Sequence, residues 1–148
     1  WSSDVCSSDL RRACARSGAP PLMECYVHAV TSAADIDDIL RIEQITFTNP
    51  WTREMYLSEL EHHDVAFFYI ARDAVGEAVG FCSWWRVLDE VHINNLAVLP
   101  EKRRFGVASL LLTRVLADGA ARGATRAMNV AASAITSPLS TRKIANDE

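Results

Sequence analysis

The residues best suited to chemistry sit in one run, INNLAVLPEKRRFGVASLLL (residues 93–112), where a strand-like segment meets an amphipathic helix through a short basic turn holding a glycine. Arg104, Phe105, Gly106, Val107, Ala108 and Ser109 can present backbone N–H groups to an anion. The unpaired amides and positive dipole end of the following helix point the same way. Gly106 permits the close backbone approach that a phosphate demands, and Ala108 keeps the first helical turn small. A turn of this kind holds a phosphate in some chains and only joins strand to helix in others, and the residues alone leave both readings open. Just upstream, Glu90 and His92 alternate onto one face of the same strand. Glu90 is a carboxylate placed to take up a proton, directly or through water; otherwise it is a solvated or anchoring charge. His92 is a second proton carrier on that face, or a structural strand histidine.

The elements that must position these groups follow from periodicity. Cys25 to Val30 alternates as a short strand. Thr31 or Ser32 caps a helix with Asp35, Asp37 and Asp38 in its first turn and Ile36, Ile39, Leu40, Ile42 and Ile45 as its apolar stripe, stopped at Asn49-Pro50. Thr52 caps a second helix reaching about His62, with Met55, Leu57 and Leu60 among its apolar positions. Two strands, Ala66 to Asp73 and Ala78 to Leu88, form a hairpin around Gly76. EVHINNLAVL (residues 90–99) is a strand ended by Pro100, Ala108 to Ala121 is a helix closed by Gly123, and Arg126 to Ala132 is a weaker strand. The order β-α-α-β-β-β-α-β predicts a mixed α/β sheet with helices on both faces.

Composition narrows the function. The chain has 148 residues, 49% hydrophobic and 23% charged, which suits one ordinary domain. A net charge of −4 gives no basic face for nucleic acid, and Lys102-Arg103-Arg104 is too short to change that. No apolar stretch approaches the roughly 20 residues of a membrane span, so the expectation is a cytoplasmic protein with no membrane partner. Cys6, Cys14, Cys25 and Cys82 lack the spacing of a zinc site, and no metal is expected. Trp1 to Leu10, WSSDVCSSDL, reads as the in-frame translation of a common sequencing-library adapter. Residues 1–24 are therefore expected to be a non-native or disordered leader, with the domain at 25–148.

Arg103 to Ala108 resembles the Q/R-x-x-G-x-G/A signature of the GNAT acetyltransferase superfamily, and the LAV-x-P ending of the preceding strand resembles the same family. The resemblance implies a mostly antiparallel sheet flanked by helices, with acetyl-CoA as acetyl donor. It places the coenzyme A pyrophosphate on Arg103 to Ser109 and pairs the pantetheine arm with the backbone of Leu96, Ala97 and Val98. Ile42-Glu43, Phe47, Pro50-Trp51, Gly80-Phe81, Trp84-Trp85 and Asp89 to Ile93 look like the bacterial ribosomal-protein alanine N-acetyltransferases. The acceptor implied is a protein N-terminus, alanine of a small-subunit ribosomal protein. Trp84 and Trp85 are either a packed strand or part of a substrate groove.

The pattern breaks after the fifth strand. In the register of those enzymes, the general base falls on Asn129, the cofactor-contacting asparagine on Ala134 and the proton-donating tyrosine on Thr141. The final strands of the fold are expected to be missing or replaced. Impaired turnover follows from the resemblance, with a non-catalytic acetyl-CoA-binding module or a truncated fragment as the alternatives. A sheet left open would also pair into a dimer through its exposed edge.

Overall fold

The computed structural model describes residues 22–129 and the short segment 142–143. Six strands form one sheet in chain order: β1 (Cys25–Ala29), β2 (Ala66–Asp73), β3 (Ala78–Val87), β4 (Glu90–Val98), β5 (Arg126–Asn129) and β6 (Arg142–Lys143). The first four make an antiparallel meander, β5 joins β4 in parallel, and β6 returns antiparallel on β5. The α/β, mostly antiparallel architecture expected from the sequence is the one observed. A two-residue β6 pairs with Arg126 and Ala127 on the far side of β5. The expected loss or replacement of the final strands otherwise concerns positions outside the described residues.

Helices α1 (Ala33–Thr46) and α2 (Arg53–Leu60) cover one face of the sheet, and α3 (Val107–Ala121) covers the other. Ser32 caps α1 in a reciprocal box with Asp35. Burial would push the Asp35 carboxyl up, but the Arg72 guanidinium at 2.7 Å and the Ser32 and Thr31 donors hold it below the usual range. The stripe of α1 is Ile36, Ile39 and Ile42, all fully buried, and it continues at Glu43 rather than at Ile45, which is exposed. In α2 the core residue is Tyr56, while Met55 and Leu57 face outward. Ile45 lies one residue from the end of α1 and stays uncovered, while Met55 and Leu57 sit on either side of Tyr56, each about 100° round the helix from the face that meets the sheet.

On the opposite face, Val107, Leu111 and Val115 of α3 pack on Val91, Ile93, Leu96 and Val98. Gly119 brings α3 close to β4: a Cβ there would lie 2.3 Å from a Val91 methyl. Trp84 is fully buried in this core and stacks on Phe67 with ring centroids 4.5 Å apart, which removes it from any substrate groove. Cys82 is buried in the same cluster, its thiol pushed up to about 12 by desolvation.

Candidate functional site

The apolar alternation of β4 slips by one residue in its middle. Val91 and Ile93 face α3, as do Leu96 and Val98, which requires an extra residue between the pairs. That residue is Asn94: Ser83 pairs with Asn95 and Trp84 with Ile93, leaving Asn94 opposite nothing. Such a bulge bends the strand and ends regular pairing. Among the described residues, β5 pairs with Glu90 to Ile93 only, so the β5-facing edge of β4 has no described strand partner from Asn94 to Val98. Leu96, Ala97 and Val98, the expected pantetheine-pairing residues, lie in this stretch with their side chains buried.

β4 runs through one 3-10 turn (Pro100–Lys102) into the basic turn. Arg104 has φ 70° and Gly106 φ 85°, so two left-handed residues two positions apart curl the backbone into a concavity just before α3. No side chain caps the N-terminus of α3, whose first amides therefore carry no side-chain competitor for an anion. Arg103 turns back to donate from Nε to the Val98 carbonyl at 3.0 Å, bracing the turn against the strand end. Val107 is buried, Ala108 partly buried and Ser109 exposed on the first turn of α3. The structure therefore brings Leu96 to Val98 and Arg103 to Ser109 together.

One feature of the turn was not legible beforehand. Met23 N–H donates to the Phe105 carbonyl at 3.0 Å, and the Leu22 side chain covers Gly106 so closely that an added Cβ would lie 2.5 Å from it. The chain just ahead of β1 is thus seated on the basic turn, on the side toward which a Gly106 side chain would point. Such a side chain would strike Leu22 first.

The other expected residue, Glu90, lies at the opposite end of β4. Its carboxylate is shared between His92 Nε2 at 2.8 Å and Arg126 at 3.1 Å. His92 is thereby oriented by a carboxylate, the arrangement that leaves its other ring nitrogen available to exchange a proton. Directly across the ladder stands Trp85, whose indole N–H donates to Glu59 of α2 at 2.6 Å. Beneath lies a buried polar chain: Tyr56 donates to Glu43 at 2.8 Å, the Trp51 N–H donates to the other Glu43 oxygen at 3.1 Å, and Asn95 donates to Tyr56 at 3.5 Å. Burial first, and the Glu43 charge second, push the Tyr56 hydroxyl far above its usual range, while burial pushes the Glu43 carboxyl up.

Sequence reasoning missed Asn94, Asn95, Tyr56, Glu59 and Arg126 as site residues. The signal for the bulge was present in the polar pair that breaks the apolar alternation. Arg126, Glu59 and Tyr56 depend on contacts between distant segments. Asn129 ends β5 opposite Ile93, whereas Ala134 and Thr141 lie outside the described residues. Among the described residues no group of acidic, histidine or cysteine side chains could hold a metal ion, and no helix is long and apolar enough to cross a membrane.

Comparison with known proteins bears on this geometry. A protein of Bacillus subtilis (strain 168), which carries the provisional name of a ribosomal protein bS18-alanine N-acetyltransferase, is 38% identical over 69 residues. Those residues are 47% of this chain, and the chain spans just under half of that relative's length, 45%. The crystal structure of the ribosomal-protein-S18-alanine N-acetyltransferase from Escherichia coli superposes with a TM-score of 0.63 at 22% identity, over 71% of this chain and 65% of the other. A GNAT family N-acetyltransferase (YhbS) from Escherichia coli, solved in complex with CoA, gives 0.62 at 17% identity, over 75% and 64%. At these identities the two solved structures establish the fold. The Acetyltransferase (GNAT) family model matches residues 36–136, more than half the chain and the whole of the β4–turn–α3 unit, so this chain belongs to the GNAT acetyltransferase family.

Proposed function

We propose that this chain transfers an acetyl group from acetyl-CoA to the N-terminal α-amine of a protein, with alanine of a small-subunit ribosomal protein as the acceptor. The observation that carries the reading is the junction of three features at one end of β4: an edge without a described strand partner past Asn94, a turn with two left-handed residues, and a helix N-terminus that no side chain caps. A pyrophosphate fits there on backbone amides of Arg103 to Ser109, and an extended arm fits along Leu96, Ala97 and Val98. The CoA-bound relative and the bS18-directed names of two others support the donor and the acceptor. A ribosomal acceptor would place the reaction in the cytoplasm.

Bound acetyl-CoA supplies an activated acetyl thioester. The chain's own contribution is placement and proton transfer. A protonated α-amine must lose a proton before it can attack, and Glu90 with His92 is the pair positioned to receive it, directly or through water. The new amide C–N bond forms as the thioester C–S bond breaks; of the two protons that the ammonium gives up, one leaves through the Glu90–His92 pair to solvent and the other ends on the departing sulfur. Holding donor and acceptor in register supplies much of the rate without covalent attachment to the protein. Asn129 at the position of the family's base makes slow turnover part of this proposal. It also favours a second reading, an acetyl-CoA-binding module without turnover. Incubating the full chain with acetyl-CoA and an alanine-starting peptide, with mass spectrometry of the peptide, separates the two: α-N-acetylation supports the enzyme, and thermal stabilisation by acetyl-CoA without acetylation supports the module.

A further inference from the structure

The acetyl-transfer reading does not use the buried Glu43, whose residue is only 1% exposed. No cation among the described residues lies within ion-pair reach of it, and its partners are the Trp51 N–H and the Tyr56 hydroxyl. Burying a carboxylate against neutral donors alone is costly, so its place in the core calls for a function. The chain that begins at Glu43 has a fixed direction. An ionised carboxylate accepts only, so while Glu43 carries its charge Tyr56 must spend its single proton on it. The Tyr56 oxygen is then left to accept, and only the amide nitrogen of Asn95 can donate to it. With that nitrogen turned inward, the Asn95 carbonyl oxygen points away from Tyr56.

That oxygen has no partner among the described residues. Asn95 is 8% exposed, and the one side-chain nitrogen or oxygen among the described residues that is both wholly enclosed and unpartnered is the Trp84 indole nitrogen, not this oxygen. It lies on the face of the sheet that carries Tyr56, Glu90 and His92, beside the Asn94 bulge and one residue before the expected pantetheine-pairing stretch. The Asn95 backbone is itself fixed, its N–H donating to the Ser83 hydroxyl at 3.2 Å.

We infer that Asn95 receives an N–H of the acceptor amine on its side-chain carbonyl, and that Glu43, acting through Tyr56, is the positioning residue that turns that carbonyl outward. The inference rests on the acetyl-transfer reading. A primary amine brings several N–H donors, one for Asn95 and one for the proton-taking pair. Near-complete burial of Glu43 and Tyr56 keeps solvent from reversing the chain, so the polarity set at Glu43 reaches Asn95 intact.

Glu43→Gln tests the direction without emptying the core. The glutamine oxygen can still accept from Trp51, but its amide nitrogen must donate to Tyr56. Tyr56 then donates to Asn95, and Asn95 flips to present its NH2 group outward. Binding of an alanine-starting peptide to the full chain in the presence of CoA, read by calorimetry, should weaken about 10-fold or more. Acetyl-CoA affinity should stay unchanged, a separation that simple loss of structure would not produce. Asn95→Leu, of similar size, should give the same loss and serves if Glu43→Gln fails to fold. Full peptide affinity in either variant, with the parent protein acetylating the peptide, overturns the inference and leaves the acetyl-transfer reading standing. A parent protein that binds acetyl-CoA but no amine-bearing peptide overturns both, and shows it before any substitution is made.

Discussion

Replacing Gly119 by alanine should destabilise the protein, against the ordinary expectation for a helix. In a helix interior the change typically gains about 0.5–1 kcal/mol, because glycine has more backbone freedom to lose. Here the added Cβ would stand 2.3 Å from a methyl of Val91, whereas carbon atoms rest at about 3.5–4.0 Å. About 1 Å of relief must come from a fully buried valine or from α3 lifting off β4. Overpacking of this kind costs about 1–3 kcal/mol. The helix gain offsets part of it, leaving a net loss of up to about 2 kcal/mol and a melting temperature lower by several degrees. Because Val91 lies between Glu90 and His92, the displacement should reach the proton-taking pair as well. Thermal and urea denaturation of Gly119→Ala, Val91→Ala and the double variant checks the argument. Of the two methyls removed from Val91, the one facing Gly119 makes room for the one added, so the double variant should be more stable than the two single losses summed, by at least about 0.5 kcal/mol. Strict additivity, or a raised melting temperature for Gly119→Ala alone, would refute the claim that this glycine sets the seat of α3 on β4.

Gly106→Val should weaken acetyl-CoA binding at least 10-fold, because φ 85° is strained for valine and its side chain would displace Leu22 from the turn; calorimetry giving unchanged affinity would remove the turn from the site. Deleting residues 1–20 should leave the melting temperature unaltered, whereas extending the deletion through Met23 should lower it by breaking the seat on Phe105, and equal melting curves for both would contradict that seat. Glu43 has a raised carboxyl pKa in the folded protein, so its effect on stability is most favourable below the unfolded pKa of about 4.3 and declines as pH rises through the folded value. Glu43→Gln should accordingly gain in melting temperature relative to the parent between pH 4 and pH 7, and a difference independent of pH would show that the burial cost is absent. Asn129→Glu combined with Thr141→Tyr should recover part of a defect that general acid and base groups set at about 10² to 10⁴-fold; steady-state acetylation showing no gain would place the impairment elsewhere.

The order of elements, the hairpin at Gly76 and the β4–turn–α3 unit were legible because each rests on local pattern: β-formers in alternation, a proline or glycine at Pro50, Gly76, Pro100, Gly106 and Gly123, a helical stripe after the basic turn. What was not legible depends on pairing across the fold. Ile45 lies three residues past Ile42 and so prolongs the stripe on paper, yet α1 ends one residue later and leaves it uncovered. Glu43 stands seven residues after Ile36 and hence on the buried face, where a helical period assigns a position but not a tolerance for charge. That tolerance comes from Trp51 and Tyr56, which are brought in by the turn into α2. Glu90 could be picked out as a carboxylate on the right strand, but its sharing between His92 and Arg126 requires the parallel register of β5. The bulge at Asn94 lies between the two cases: the slipped alternation is written in Ile93-Asn94-Asn95-Leu96, but a slip shows only that a strand is irregular, and its partner Ser83 shows where.

Acetyl transfer at the end of β4 can be followed on its product. Its most direct measurement is the amount of α-N-acetylated peptide formed when the full chain is held with saturating acetyl-CoA and an alanine-starting peptide, followed by mass spectrometry alongside release of CoA. Slow acetylation confined to the α-amine, with one CoA released for each peptide modified and a rate that falls in Gly106→Val once acetyl-CoA is lowered below saturation, is the expected result. Bound acetyl-CoA with no acetylated peptide after long incubation would contradict it and leave a protein that only holds the donor.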